Sequence, residues 1–407
     1  MTYNTYTLGN GLRILHIPDN YSKVAYCGFA VDAGTRDELP GEEGMAHYVE
    51  HTIFKGTEHR RAWHIINRME NVGGNLDAFT SKEETIIYSV FLREHFARAA
   101  ELLVDIVFHS TFPQAELDKE VEVIIDEIQS YEDSPSELIF DEFEKMVFEG
   151  HELGRDILGS PDVLRGFKSQ DALDFVHRNY TPDNMVFFIR GDISFKRIVK
   201  RMEALTGDIP CGKGRRERHP VPLYVPGSRV VDRGSRQSYV MLGCRSFESE
   251  SRKQTVLFLL NNLLGGPGMN SRLNVALREK RGLVYTVETN MTTYTDTGVF
   301  SIFFGCDDED VDKCISLTRT ELSRLSDAKL TPAALAAIKK QTIGQLGVAG
   351  DNFEANTLDA GKIFLHYNKY DDEEKIFERI MNVTADDIRD VAAEKFAEEN
   401  MSMLIYK

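Results

Sequence analysis

Apolar residues recur at Leu117, Val121, Ile124, Ile125 and Ile128, while Lys119, Glu122, Asp126 and Gln129 take the opposite side. That period predicts an amphipathic helix over residues 113–132, with Pro113 suited to its first turn. A second helical pattern fills residues 44–54. At about 100° per residue, His47, Glu50, His51 and Phe54 share an arc of roughly 100°. Met45, Tyr48, Val49, Thr52 and Ile53 then form a mostly apolar opposite side that can pack on a core. Further helices are expected over 63–71, closed by Gly73 and Gly74, and over 94–109. Asn10-Gly11, between the short runs 5–8 and 12–15, is the favoured hairpin turn. Residues 23–31, 77–80, 85–92 and 186–189 read as strands, and 32–43 as a polar loop.

At 407 residues the chain is long for one core and suggests two domains of about 200 residues each. The run from Asp208 to Pro220 is rich in Gly, Pro and charge, as linkers are. The expected division is 1–207, a linker at 208–222, and 223–407. Weak internal matches point to a duplication. Tyr180-Thr181-Pro182-Asp183-Asn184-Met185 resembles Phe396-Ala397-Glu398-Glu399-Asn400-Met401, each ahead of an apolar strand. Phe112-Pro113-Gln114-Ala115-Glu116-Leu117 resembles Thr331-Pro332-Ala333-Ala334-Leu335 at the start of a long helix. The fold class expected is α+β: two homologous domains, each an antiparallel sheet covered by helices on one side.

Charge narrows the function. With 65 Asp+Glu against 48 Lys+Arg, net −17, the chain lacks the basic balance of a general nucleic-acid binder. Acidity favours solubility and would attract cationic ligands, basic peptides among them. No run approaches the ~18 apolar residues of a membrane span. Residues 1–6 have neither a basic n-region nor an apolar h-region. The five cysteines show no C-x-x-C spacing and read as free thiols of a reducing compartment. A cytoplasmic protein without membrane or nucleic-acid partners is expected.

His47-Tyr48-Val49-Glu50-His51 has the order H-x-x-E-H, the reverse of H-E-x-x-H. Two imidazoles one turn apart can bind one metal ion, and a carboxylate between them can reach a water on it. Spacing alone leaves open two surface histidines sharing a helix face. A catalytic zinc usually takes three protein ligands, and the 113–132 helix is the best source of the third. Glu120 and Glu127 lie one heptad apart at the edge of its apolar stripe, although two boundary glutamates on an acidic helix would look the same. Sliding the second half over the first sets Gly344-Gln345-Leu346 opposite Asp126-Glu127-Ile128, and no H-x-x-E-H occurs after residue 223. A metal site on this motif would then exist once per chain.

His47 to His51, together with Glu127 in Val123-Ile124-Ile125-Asp126-Glu127-Ile128, resembles the pitrilysin/insulinase family of zinc peptidases. It is most similar to the branch of mitochondrial processing peptidase and its bacterial relatives. The likeness continues through residues 73–85, Tyr131-Glu132-Asp133-Ser134-Pro135 and Arg278-Glu279-Lys280-Arg281-Gly282-Leu283-Val284-Tyr285. The resemblance implies that His47, His51 and Glu127 bind one Zn2+ and that Glu50 is the general base. It implies that Glu120 orients a histidine ligand. Asp77, Ala78 and Phe79 match the edge strand that receives substrate in the family, which commonly has Asn at the position of Asp77. Arg278 and Tyr285 would contact substrate. The implied activity is a zinc endopeptidase acting on peptides or unfolded segments, including basic presequence-like ones. Larger family members close four such domains round a chamber, so two copies of this chain, a homodimer, are expected to form one. A heterodimer remains open, as does a non-catalytic or partner-dependent subunit of a heteromeric peptidase or scaffold.

Overall fold

The computed structural model describes residues 3–212 and 218–407. The chain divides into two compact units. The first comprises Met1–Gln129, Arg155–Arg218 and Asn352–Tyr370; the second comprises Ser130–Gly154, His219–Asp351 and Asp371–Lys407. These are not the contiguous halves expected from a linker at 208–222. Residues 213–217 of that linker lie outside the described residues, and Arg218 belongs to the first unit.

The first unit holds a six-stranded sheet, order β1-β2-β6-β3-β5-β4. Its strands are β1 (Asn4–Thr7), β2 (Arg13–Pro18), β3 (Val24–Val31), β4 (Asn75–Thr80), β5 (Thr85–Leu92) and β6 (Met185–Gly191). The hairpin at Asn10-Gly11 pairs β1 with β2, Asn4 opposite His16 and Thr7 opposite Arg13. β2 and β6 run parallel, with Arg13 opposite Val186, so the sheet is mixed and not wholly antiparallel. That pairing joins segments far apart in sequence, and no local pattern encodes its direction.

One face of this sheet, with Phe29, Val31, Ile87, Phe187 and Ile189, packs against α1 (Met45–Thr52), α3 (Phe96–His109) and α4 (Gln114–Glu132). Between α1 and α3 in sequence lies α2 (Ala62–Glu70). Coverage does not stop at one side. Leu15, Ile17, Ile86, Tyr88 and Phe188 on the opposite face pack against Ala360, Phe364 and Leu365. Those three come from the helix Phe353–Tyr367, which reaches the first unit from late in the chain. Gly361 permits the approach: a Cβ there would lie 2.6 Å from the Phe188 ring. Each large apolar side chain so buried contributes about 1.5–3 kcal/mol.

The second unit repeats the plan with five strands, order β7-β11-β8-β10-β9. They are β7 (Ser228–Val231), β8 (Ser238–Arg245), β9 (Val284–Thr293), β10 (Gly298–Cys306) and β11 (Ser402–Tyr406). Here too one pair, β7 and β11, is parallel. One face carries Leu242, Phe300 and Phe304 against Leu257 and Leu260, which lie on the helix Arg252–Gly265. The other face, with Met241, Phe303 and Leu404, packs against Ile139, Phe143 and Met146 of α5 (Pro135–Val147). Each unit therefore takes the helix for its second face from the other half of the sequence. An amphipathic pattern states that a helix face is buried; it does not state which sheet buries it.

All five cysteines are free, four of them buried and Cys211 exposed. Among the described residues no helix is long and apolar enough to cross a membrane.

Candidate metal centre

The site is built on α1 and α4. Gly44 precedes α1 at φ +93°, a left-handed conformation that costs other residues free energy. A Cβ there would also lie 2.8 Å from Gly159 Cα. The first turn of a helix has unpaired N–H groups. Glu38 takes two of them, accepting from Gly44 N–H at 3.1 Å and Ala46 N–H at 3.0 Å. Burial pushes the Glu38 carboxyl up to about 8, against these hydrogen bonds, which favour its charge. Met45, Tyr48 and Val49 are fully buried, which fixes the opposite side of α1 toward α4. On α4 the stripe Leu117, Val121, Ile124, Ile125 and Ile128 is buried, leaving Glu120 and Glu127 at its edge.

His47 Nε2 lies 3.8 Å and His51 Nε2 3.5 Å from the same oxygen, Oε2 of Glu127. The imidazole centroids are 4.5 Å apart. The donor atoms of His47, His51 and Glu127 all fall within 4.8 Å of one another, the one such group among the described residues. Burial, with His51 adding to it, pushes the His47 pKa down to about 3. A neutral imidazole keeps the lone pair that a metal needs. Two imidazoles and one carboxylate are the donor set of a catalytic zinc site that keeps a further position open, so these residues fit a zinc ion.

Around the triad, Glu120 Oε2 lies 3.5 Å from His51 Nδ1. Burial raises the Glu50 carboxyl above the ordinary glutamate range. The charges of Glu127 and Asp77 push the same way, while a hydrogen bond to Thr80 and the nearby His51 work against them. A raised carboxyl is better matched to accepting and returning a proton near neutrality.

Residues 13–161 match the family model described as insulinase (peptidase family M16), and residues 166–342 match that of the peptidase M16 inactive domain. An uncharacterized zinc protease of Rickettsia bellii is 30% identical over 403 residues, 99% of this chain and 97% of its own. The chain belongs to the M16 (insulinase) peptidase family. The beta subunit of the mitochondrial-processing peptidase of Saccharomyces cerevisiae is 27% identical, covering 94% of this chain and 86% of that protein. A crystal structure of a peptidase M16 inactive domain from Pseudomonas fluorescens shares the fold. Its TM-score is 0.92 at 17% identity, over 100% of this chain and 98% of that one.

In this M16 chain, Asp77, Ala78 and Phe79 lie on β4, the edge of the first sheet. Asp77 Oδ1 accepts the Ala78 N–H at 2.8 Å. Arg278 and Tyr285 belong to the second unit. Arg278 lines a cleft of about 540 Å3 there, together with Asn262, Glu288 and Gln345. Tyr285, 58% exposed, donates its hydroxyl to Asp307 at 3.1 Å. The duplication is informative at Gln345, the counterpart of Glu127. Asn262 donates to Gln345 Oε1 at 2.7 Å and to Thr342 Oγ1 at 2.6 Å. Neutral amides stand there, at the position that the internal match sets opposite the Glu127 carboxylate.

Several residues that shape the site escape sequence reasoning. Glu38 is one. Asp105 on α3 is another, accepting from Thr57 Oγ1 at 2.8 Å and Arg60 Nη1 at 2.5 Å, with His59 Nδ1 at 2.6 Å. These contacts tie the segment after α1 to the core. The signal was present: Asp105 interrupts the apolar run Leu102-Leu103-Val104-Asp105-Ile106-Val107. The expected polar loop 32–43 is largely buried. Its Asp32 and Asp37 pair with Arg218 at 2.9 and 2.7 Å, a partner that no local pattern announces.

Proposed function

We propose that this chain is a zinc-dependent endopeptidase acting on peptides or unfolded segments. The observation that carries the reading is the convergence of His47, His51 and Glu127 with Glu50 on the same side of α1. His47 and His51 would hold zinc through Nε2, and Glu127 through a carboxylate oxygen. Bound there, zinc would supply Lewis acidity that brings water toward ionisation at neutral pH. Glu50 accepts the proton of the attacking water and returns it to the leaving amine. Glu120 holds the His51 ring through Nδ1. An extended peptide adds to the open edge of β4, where main-chain hydrogen bonds tolerate many sequences. The net charge of −17 supports a preference for basic, presequence-like peptides.

Two copies would form the chamber, Arg278 and Tyr285 of one subunit facing His47 and His51 of its partner. Sedimentation of the purified chain tests this: a monomer with full activity would refute the dimer.

The peptidase is tested with a quenched basic peptide. Hydrolysis is expected for the zinc-loaded protein, with Glu50→Gln lowering kcat about 10²–10⁴-fold while its zinc content stays unchanged. Undiminished turnover in Glu50→Gln, or after complete chelation, would refute the assignment.

A further inference from the structure

Glu120 has two carboxylate oxygens, and each has its own partner. Oε2 faces His51 Nδ1 at 3.5 Å; Oε1 is 2.5 Å from Lys55 Nζ. The pair is partly shielded, Lys55 at 27% and Glu120 at 15% side-chain exposure, so solvent screens it less than an ordinary surface ion pair. Lys55 is not presented by a loose loop. Its own N–H bonds to Thr52 O at 3.0 Å. Ser110 Oγ donates to Ile53 O at 2.9 Å, and Thr111 N–H donates to Gly56 O at 3.0 Å. The backbone on either side of Lys55 is thus pinned to the segment after α3.

We propose that Lys55 is a positioning residue of the metal centre: it fixes the Glu120 carboxylate so that its second oxygen holds His51 ready to bind metal through Nε2. The inference rests on the zinc reading of His47, His51 and Glu127. Without Lys55, the Glu120 carboxylate is free to rotate away from the ring and His51 loses its fixed orientation. Outer partners of metal ligands typically govern affinity by 10–100-fold.

The test separates this role from plain electrostatics by its sign. A cation near a cation site repels the metal, so removing its charge for that reason alone would tighten zinc. Zinc affinity is measured by chelator competition for the wild type, Lys55→Met, Lys55→Arg, Glu120→Gln and the Lys55→Met/Glu120→Gln double variant. Thermal unfolding of the metal-free proteins runs alongside. Lys55→Met is expected to bind zinc about 10-fold more weakly with an unchanged metal-free Tm. Lys55→Arg should restore most of that affinity. In the Glu120→Gln background, Lys55→Met should add no further loss, because both changes break one linkage. Equal or tighter zinc binding by Lys55→Met, or losses that simply add, would overturn the role of Lys55 and leave the zinc reading standing. A wild type that binds no zinc would overturn both.

Discussion

Glu50 and Asp77 are coupled through charge. Burial is the main reason the Glu50 carboxyl stands above its ordinary range, and Asp77 adds to the rise. A base with a raised pKa is protonated, and idle, to a higher pH. Protonation of Glu50 then sets the acid limb of kcat/KM. Asp77→Asn removes a negative neighbour, eases ionisation of Glu50 and should move that limb to lower pH. A pH–rate profile of the two proteins decides it, and a limb that stays put or moves upward would contradict the coupling. His47, Glu50 and His51 were legible as a candidate group because the helix fixes their spacing, whereas periodicity left Glu120 and Glu127 as boundary glutamates that only the family resemblance singled out. Lys55 was not legible, since a lysine in a connecting segment carries no periodicity that says what it meets.

Two elements hold α1 in place, one at each end. At its start, Gly44 combines a positive φ with a backbone neighbour too close for a Cβ. Gly44→Ala should cost roughly 2–3 kcal/mol of stability, more than the usual penalty for φ > 0 alone. Urea unfolding would measure it, and a change under about 0.5 kcal/mol would contradict the strain argument. At the far end, Asp105 gathers Thr57, His59 and Arg60. Burial opposes its charge, but those hydrogen bonds prevail and hold its carboxyl below the usual range. A depressed carboxyl stabilises the fold above its unfolded value, near 3.9, and that contribution fades as pH falls through the folded value. Asp105→Asn should destabilise by about 3 kcal/mol near neutrality, with the gap from wild type closing in acid. A gap that stays constant down to about pH 3 would refute the ion-pair account. Most helices and strands were legible from their apolar periods. The buried loop holding Asp32 and Asp37 was not, because a run of charges reads as solvent-facing until its distant partner, Arg218, is known.

For the whole molecule, the notable feature is the exchange of α5 and the helix Phe353–Tyr367 between the two halves of the sequence. The duplication could be read from paired motifs, but not this exchange, since both helices have ordinary amphipathic patterns. A fragment cut at the expected boundary, residues 1–207, would leave Leu15, Ile17, Tyr88 and Phe188 without their covering helix. That fragment is expected to aggregate or to bind a hydrophobic dye, and co-expression with the remainder of the chain should suppress both. A soluble, cooperatively unfolding 1–207 fragment would show that the covering helix is dispensable.

The same exchange imposes a timetable on the nascent chain. The last strand of the first sheet, β6, is complete at Gly191, yet that sheet waits for a helix that ends at Tyr367. At about 5–20 residues per second of synthesis, that interval lasts on the order of ten seconds to a minute. Throughout it, an apolar sheet face stands open beside the ribosome, a natural stopping place for a chaperone. Slowing synthesis between these two points should lengthen that exposure and lower the yield of folded protein.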